Sequence, residues 1–176
     1  MSSPCPDCGF DAGSVSPSDA AVALRSYPRR YRSLLTLPDE NEAFDPLRRA
    51  GADGWSAVAH AWWAALSFDA VTEALHQVLI HDHPDVSEPP ITPASPPPVD
   101  EPNDAVLDRL TRAADGLAVA IENARGGSNE WNRTGRLRDA SEVTALDLVR
   151  SAVHQGVHHL RAIERVLKEV VGRPRE

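Results

Sequence analysis

His154 and His158 stand four residues apart in the stretch SAVHQGVHHLRAI, Ser151 to Ile163. On a helix that spacing sets two imidazoles one turn apart on one face, where both can grip a single metal ion. Neutral imidazole suits zinc, iron, nickel or copper, and a catalytic site adds a third protein ligand and an open position for water or substrate. The same pair also fits a partly exposed helix face that holds no metal. His159 lies about one helical step round and reads as a surface residue. His76, His81 and His83 cluster near the end of an earlier apolar segment, where imidazoles commonly meet the negative end of a helix dipole. Cys5-Pro6-Asp7-Cys8-Gly9 has the form of one zinc-ribbon knuckle. Structural zinc takes four ligands and no second CxxC exists, so ordinary packing or a free thiol pair is the simpler expectation. Structural zinc completed by His81 and His83, or a redox dithiol, are the alternatives. Trp62 and Trp63 are neighbours that cannot face the same way on a helix, so one belongs to the core and the other to a cleft or interface. The chain has no GxGxxG, Walker loop, GxSxG or HExxH.

Four helical segments would position these residues. Ser16-Pro17-Ser18-Asp19 opens the first, with Ser16 as cap and Pro17 at the first helical position, and the pattern ends before Pro38. Pro28 inside it predicts a kink or a late effective start there. After a loop over 39–53, the second helix is expected from near Asp53 through Trp55, Val58, Trp62, Leu66 and Leu75 to before Pro84. Ser87 to Pro102, SEPPITPASPPPVDEP, supports neither helix nor central strand and reads as a long surface crossover. A third helix runs from about Asn103 to Asn123, closed by Arg125-Gly126-Gly127. GSNEWNRTGRLRDASE reads as a loop, and no strand is expected. Thr144 and Asp147 cap the fourth helix, whose stripe is Leu146, Val149, Val153, Val157, Leu160 and Leu167. His154 and His158 border that stripe. The fold class is all-α, a four-helix bundle with one long Pro-rich crossover at 87–102.

The 176 residues are enough for one domain with a full core, here residues 16–172, preceded by a Cys-containing segment over 1–15. A net charge of −8 argues against nucleic acid or an anionic membrane surface as partner. No apolar run approaches the roughly 20 residues of a membrane span. MSSPCPDCGFDAG lacks the basic and apolar regions of a secretory signal, and two Cys make no disulfide framework, so the cytoplasm is expected.

CPDCGFD at Cys5, GWSAVAHAWW around Trp55, HDHPD after the second helix, WNRTGR at Trp131 and VHQGVHHLRAIERVL at Val153 occur in this order. Together they resemble the actinobacterial branch of the DinB (YfiT-like) superfamily, over nearly the whole chain. The most specific parts are Trp131, Arg133, Thr134 and Gly135, and the His-x-x-x-His-His-Leu run at His154. The resemblance implies a four-helix bundle holding a divalent metal (zinc, nickel or iron) with one His of the second helix and the His154/His158 pair. It also implies chemistry on a low-molecular-weight thiol or thiol conjugate, as a mycothiol-type S-transferase or isomerase. The family's helix-two ligand position falls on Trp63, and the nearest imidazole is His60, so the expected metal set is His154, His158 and His60. Trp63, Trp62 and Arg133 are the expected pocket residues. Two other readings stand beside this one. In the first, the metal site has degenerated to a small-molecule pocket walled by Trp63, His154 and His158. In the second, the chain is an accessory or interaction protein that forms a homodimer through the apolar face of helix two.

Overall fold

The computed structural model describes residues 4–36, 45–87, 92–124 and 128–172. Four long helices make the bundle: α1 (Pro17–Leu35), α2 (Ala57–Ile80), α3 (Asn103–Asn123) and α5 (Ala145–Val171). Between α3 and α5 lie the single turn α4 (Ser128–Trp131) and two short strands, β1 (Thr134–Arg136) and β2 (Glu142–Thr144). The all-α bundle expected from helical periodicity is the fold of the chain.

Local chemistry sets the helix starts. Ser16 and Asp19 form a capping box at α1, and Thr144 and Asp147 form another at α5, each hydroxyl accepting the amide three residues on. Helix α1 continues through Pro28. Helix α2 begins later than its apolar run suggests. Ser56 is its cap, while Asp53 accepts the amide of Trp55 in the turn ahead of it. Helix α2 is the central helix. It buries residues on nearly every side, from Ala57 and Val58 to Leu75 and Val78, as expected for a helix that is apolar all round. Tyr27 and Tyr31 cross from α1 to α5, where their hydroxyls donate to the carbonyls of Val153 and Gly156. The Tyr27 ring stacks on Phe68 of α2 at 5.8 Å.

The stretch expected to be loop contains a small antiparallel hairpin, with Thr134 opposite Thr144 and Arg136 opposite Glu142. Three residues per strand is too short for an alternating pattern to show in the sequence. The hairpin is also tied back to the end of α2: Arg136 donates its amide to Pro84 and accepts from Val86. In the crossover, residues 92–102 hold neither helix nor strand, while 88–91 lie outside the described residues, as do Pro38, Arg125-Gly126-Gly127 and Pro174. Among the described residues no helix is long and apolar enough to cross a membrane.

Arg133 serves this junction. Its Nε donates to the carbonyl of Val78 at 2.8 Å and its Nη2 to that of His81 at 2.6 Å, closing the C-terminal end of α2. Arg133→Ala should therefore destabilise the protein by about 1–2 kcal/mol, since a half-buried guanidinium leaves two carbonyls behind. A thermal melt is the check, with a fall of roughly 3–6 °C expected for a domain of this size. An unchanged melt would mean that water replaces the guanidinium without loss.

Candidate metal centre

The N-terminal segment reaches the bundle through a tight turn. Gly9 donates its amide to the carbonyl of Cys5 at 2.6 Å, and Cys5 donates to Phe10 at 3.0 Å. Gly9 has φ +65°, a left-handed conformation that glycine adopts without strain. Asp11 then caps a turn of 3-10 helix over Ala12–Ser14. Arg150 of α5 donates to the carbonyl of Val15, and Cys8 is buried. The segment thus lies along α5.

It lies against the two imidazoles. Cys5, Cys8, His154 and His158 each offer a ligand atom, and all four atoms lie within 4.8 Å of one another. Cys5 Sγ stands 3.9 Å from His158 Nδ1. Zinc bonds of about 2.3 Å to sulfur and 2.0 Å to nitrogen, at a tetrahedral angle, separate those atoms by roughly 3.6 Å. His154 Nε2 is buried with no hydrogen-bond partner, an uncompensated lone pair or N–H on one of the four residues of the group.

Protonation suits metal binding. Burial, and for His154 also the charge of His158, holds both imidazoles below their usual value, against an opposing pull from Asp7. They are neutral at pH 7, the form that ligates. Burial pushes the Cys5 thiol up, but hydrogen bonds from the backbone of Cys8 and Asp7 and from the Cys8 thiol bring it below its ordinary value. Cys8 is raised, by burial first, with the Phe10 amide and the Arg161 charge acting the other way. The donor set fits a divalent metal that accepts both nitrogen and sulfur.

His60 is placed elsewhere. Its Nδ1 is 3.0 Å from Nδ1 of His159, both rings buried. His159, expected at the surface, is fully enclosed, because α5 turns that side toward α2, where the partner imidazole meets its Nδ1 while its Nε2 stays buried without a hydrogen-bond partner. Trp55 stacks on His60 at 5.0 Å and 19°. Burial draws His60 down to about 4 despite Asp53, whose Oδ2 lies 3.4 Å from Nε2 without hydrogen-bond alignment. Burial, followed by the charge of His60, puts His159 well below its usual value. Both rings are neutral, so one Nδ1 donates and the other accepts.

The remaining expected residues divide in the same way. Trp63 meets Trp55 edge-on at 6.1 Å, with its indole N–H buried and unpartnered. Trp62 packs under the guanidinium of Arg109 on α3. Arg133 donates to the Val78 and His81 carbonyls at the end of α2, as described above. His83 bonds Thr134 of the hairpin, and His81 is the C-cap residue of α2. The signal that joins the two ends of the chain was present as C-x2-C followed by H-x3-H, a Cys2His2 ligand spacing. The roughly 150 residues between the halves hid it.

The fold has a solved counterpart. YfiT from Bacillus subtilis, described as a probable metal-dependent hydrolase with an unusual four-helix bundle topology, superposes with a TM-score of 0.69. The match covers 92% of this chain and 92% of that one, at 13% identity. No protein-family model matches the sequence. No curated protein matches it either. The fold is therefore a four-helix bundle like that of YfiT.

Proposed function

We propose that this chain is a divalent-metal protein built on a YfiT-like bundle, its metal seated on His154 and His158 of α5 beside the N-terminal turn. The observation that carries this reading is the buried, unpartnered Nε2 of His154 among three other ligand-type side chains. An orphaned buried nitrogen costs about 1–3 kcal/mol, and a metal bond removes that cost. The description of YfiT as a probable metal-dependent hydrolase accords with it. The same reading takes residues 1–15 as a Cys-bearing segment on a bundle domain over 16–172. It places the protein in the cytoplasm, where Cys5 and Cys8 stay reduced.

A more specific role follows from the resemblance: S-transfer or isomerisation on a low-molecular-weight thiol of mycothiol type. Zinc binds thiolate well, which favours such a partner. That role needs an open coordination position, which a set of four protein ligands would not provide. Metal analysis of protein purified without a His-tag tests the common part. About one zinc, nickel or iron per chain is expected, falling at least about tenfold in His154→Ala and in His158→Ala. Metal-free protein from metal-replete cells, with native helicity, overturns the proposal.

A further inference from the structure

We infer that Cys5 and Cys8 supply the remaining two ligands of this metal, so that a zinc-type ion is closed inside a Cys2His2 set and clasps the N-terminal segment to α5. The inference rests on the metal reading above and specifies what the metal does there. Three observations support it.

The first is convergence. The sulfurs come from the first residues of the described chain and the imidazoles from its last helix, yet the four ligand atoms share a space of 4.8 Å. The second is the turn itself. Gly9 donates its amide to the Cys5 carbonyl and Cys5 donates to the Phe10 carbonyl, closing a tight turn between the two thiols, with Gly9 at φ +65°. A closed Cys-x-x-Cys turn is the form in which two thiolates meet one zinc ion, and here both sulfurs fall within 4.8 Å of the two imidazole nitrogens. Arg161 adds a cation on the same side, its Nη1 standing 3.5 Å from where a Gly9 Cβ would be. The third is what the segment otherwise lacks. Residues 4–15 contain one turn of 3-10 helix and no strand, and Arg150 to Val15 is a tie at their far end. A metal bonded to both Cys and both His would fix the near end.

The ligand count then decides the task. Catalytic zinc sites keep three protein ligands and a position for water, whereas structural sites are filled by four. Two thiolates also cancel the charge of a divalent ion, which weakens its pull on a bound water. A closed set of this kind holds the chain and does not activate water, in contrast to the hydrolase chemistry ascribed to YfiT.

Cobalt(II) alone, loaded into the untagged protein, reads the site directly. The expected spectrum has intense tetrahedral d–d bands and sulfur-to-cobalt charge transfer, and added azide leaves it unchanged. Iodoacetamide should label Cys5 and Cys8 slowly in the loaded protein and at least about tenfold faster after chelation, since a metal-bound thiolate is masked. Cys5→Ser with Cys8→Ser should lower metal affinity about a hundredfold or more, with helical circular dichroism retained. A cobalt spectrum without charge transfer, or one that azide shifts, overturns the clasp, and neither readout depends on a variant folding. If Cys5→Ser/Cys8→Ser holds metal as tightly as the parent while His154→Ala does not, the clasp fails and the metal reading stands. If the parent binds no metal, both fail.

Discussion

Gly156→Ala is expected to destabilise the bundle although alanine is the better helix former. A Cβ at this position would stand 2.3 Å from Cε2 of Tyr27, 2.6 Å from Cζ and 2.9 Å from Cδ2. The ring cannot retreat. Phe68 stacks parallel to it at 5.8 Å, and the Tyr27 hydroxyl is bonded to the Val153 carbonyl of the same helix that carries Gly156. Relief must come from moving α1 and α5 apart, which also strains the bond from Tyr31 to Gly156. Overpacking of a filled core costs about 3 kcal/mol or somewhat more in such a case. The propensity gain of alanine over glycine returns about 1 kcal/mol. The net loss is about 2 kcal/mol, or a fall of roughly 4–8 °C in Tm. Thermal denaturation at constant metal content measures it. A Tm at or above the parent value would show that the two helices have slack there. Tyr27→Leu in the Gly156→Ala background should cost less than the two changes summed, because they share one contact.

The bundle was legible because it is written locally. Ser16, Thr144 and Asp147 announce helix starts by chemistry that acts within four residues, and the stripes of α1, α3 and α5 repeat at helical spacing. Helix α2 was harder to bound, since a helix buried on all sides has no polar face to mark its phase. Its start at Ser56 instead of near Asp53 reflects that. The hairpin was invisible because each strand is three residues long and gains its support from Pro84 and Val86, some 50 residues away. The candidate site was half legible. The spacing of His154 and His158 identified the pair, and Cys5-x-x-Cys8 identified a knuckle, but nothing in a linear pattern states that the first turn of a chain lies on its last helix. His60 was drawn toward the metal by the family pattern. In the fold, α2 instead points it at His159, the residue whose surface placement followed from taking the α5 stripe too narrowly.

That pairing makes His60→Ala the sharpest single test of which imidazoles belong to the metal. The substitution removes a ring that is 4% exposed, stacked on Trp55 and bonded to His159. It leaves a cavity beside the indole and strands the Nδ1 of a fully buried imidazole. A stranded polar group and a lost ring together cost about 3 kcal/mol, or about 6–12 °C in Tm. Metal content should not change, because His60 lies outside the Cys5, Cys8, His154 and His158 group. Replacing both rings, His60→Leu with His159→Leu, should restore much of the stability, since removing donor and acceptor together leaves nothing unsatisfied. Differential scanning calorimetry with parallel metal analysis separates the outcomes. A stability loss with metal retained fits a structural imidazole pair. If His60→Ala instead releases the metal, His60 is a ligand, the three-imidazole set His60, His154 and His158 holds it, and the cysteines do not close the site.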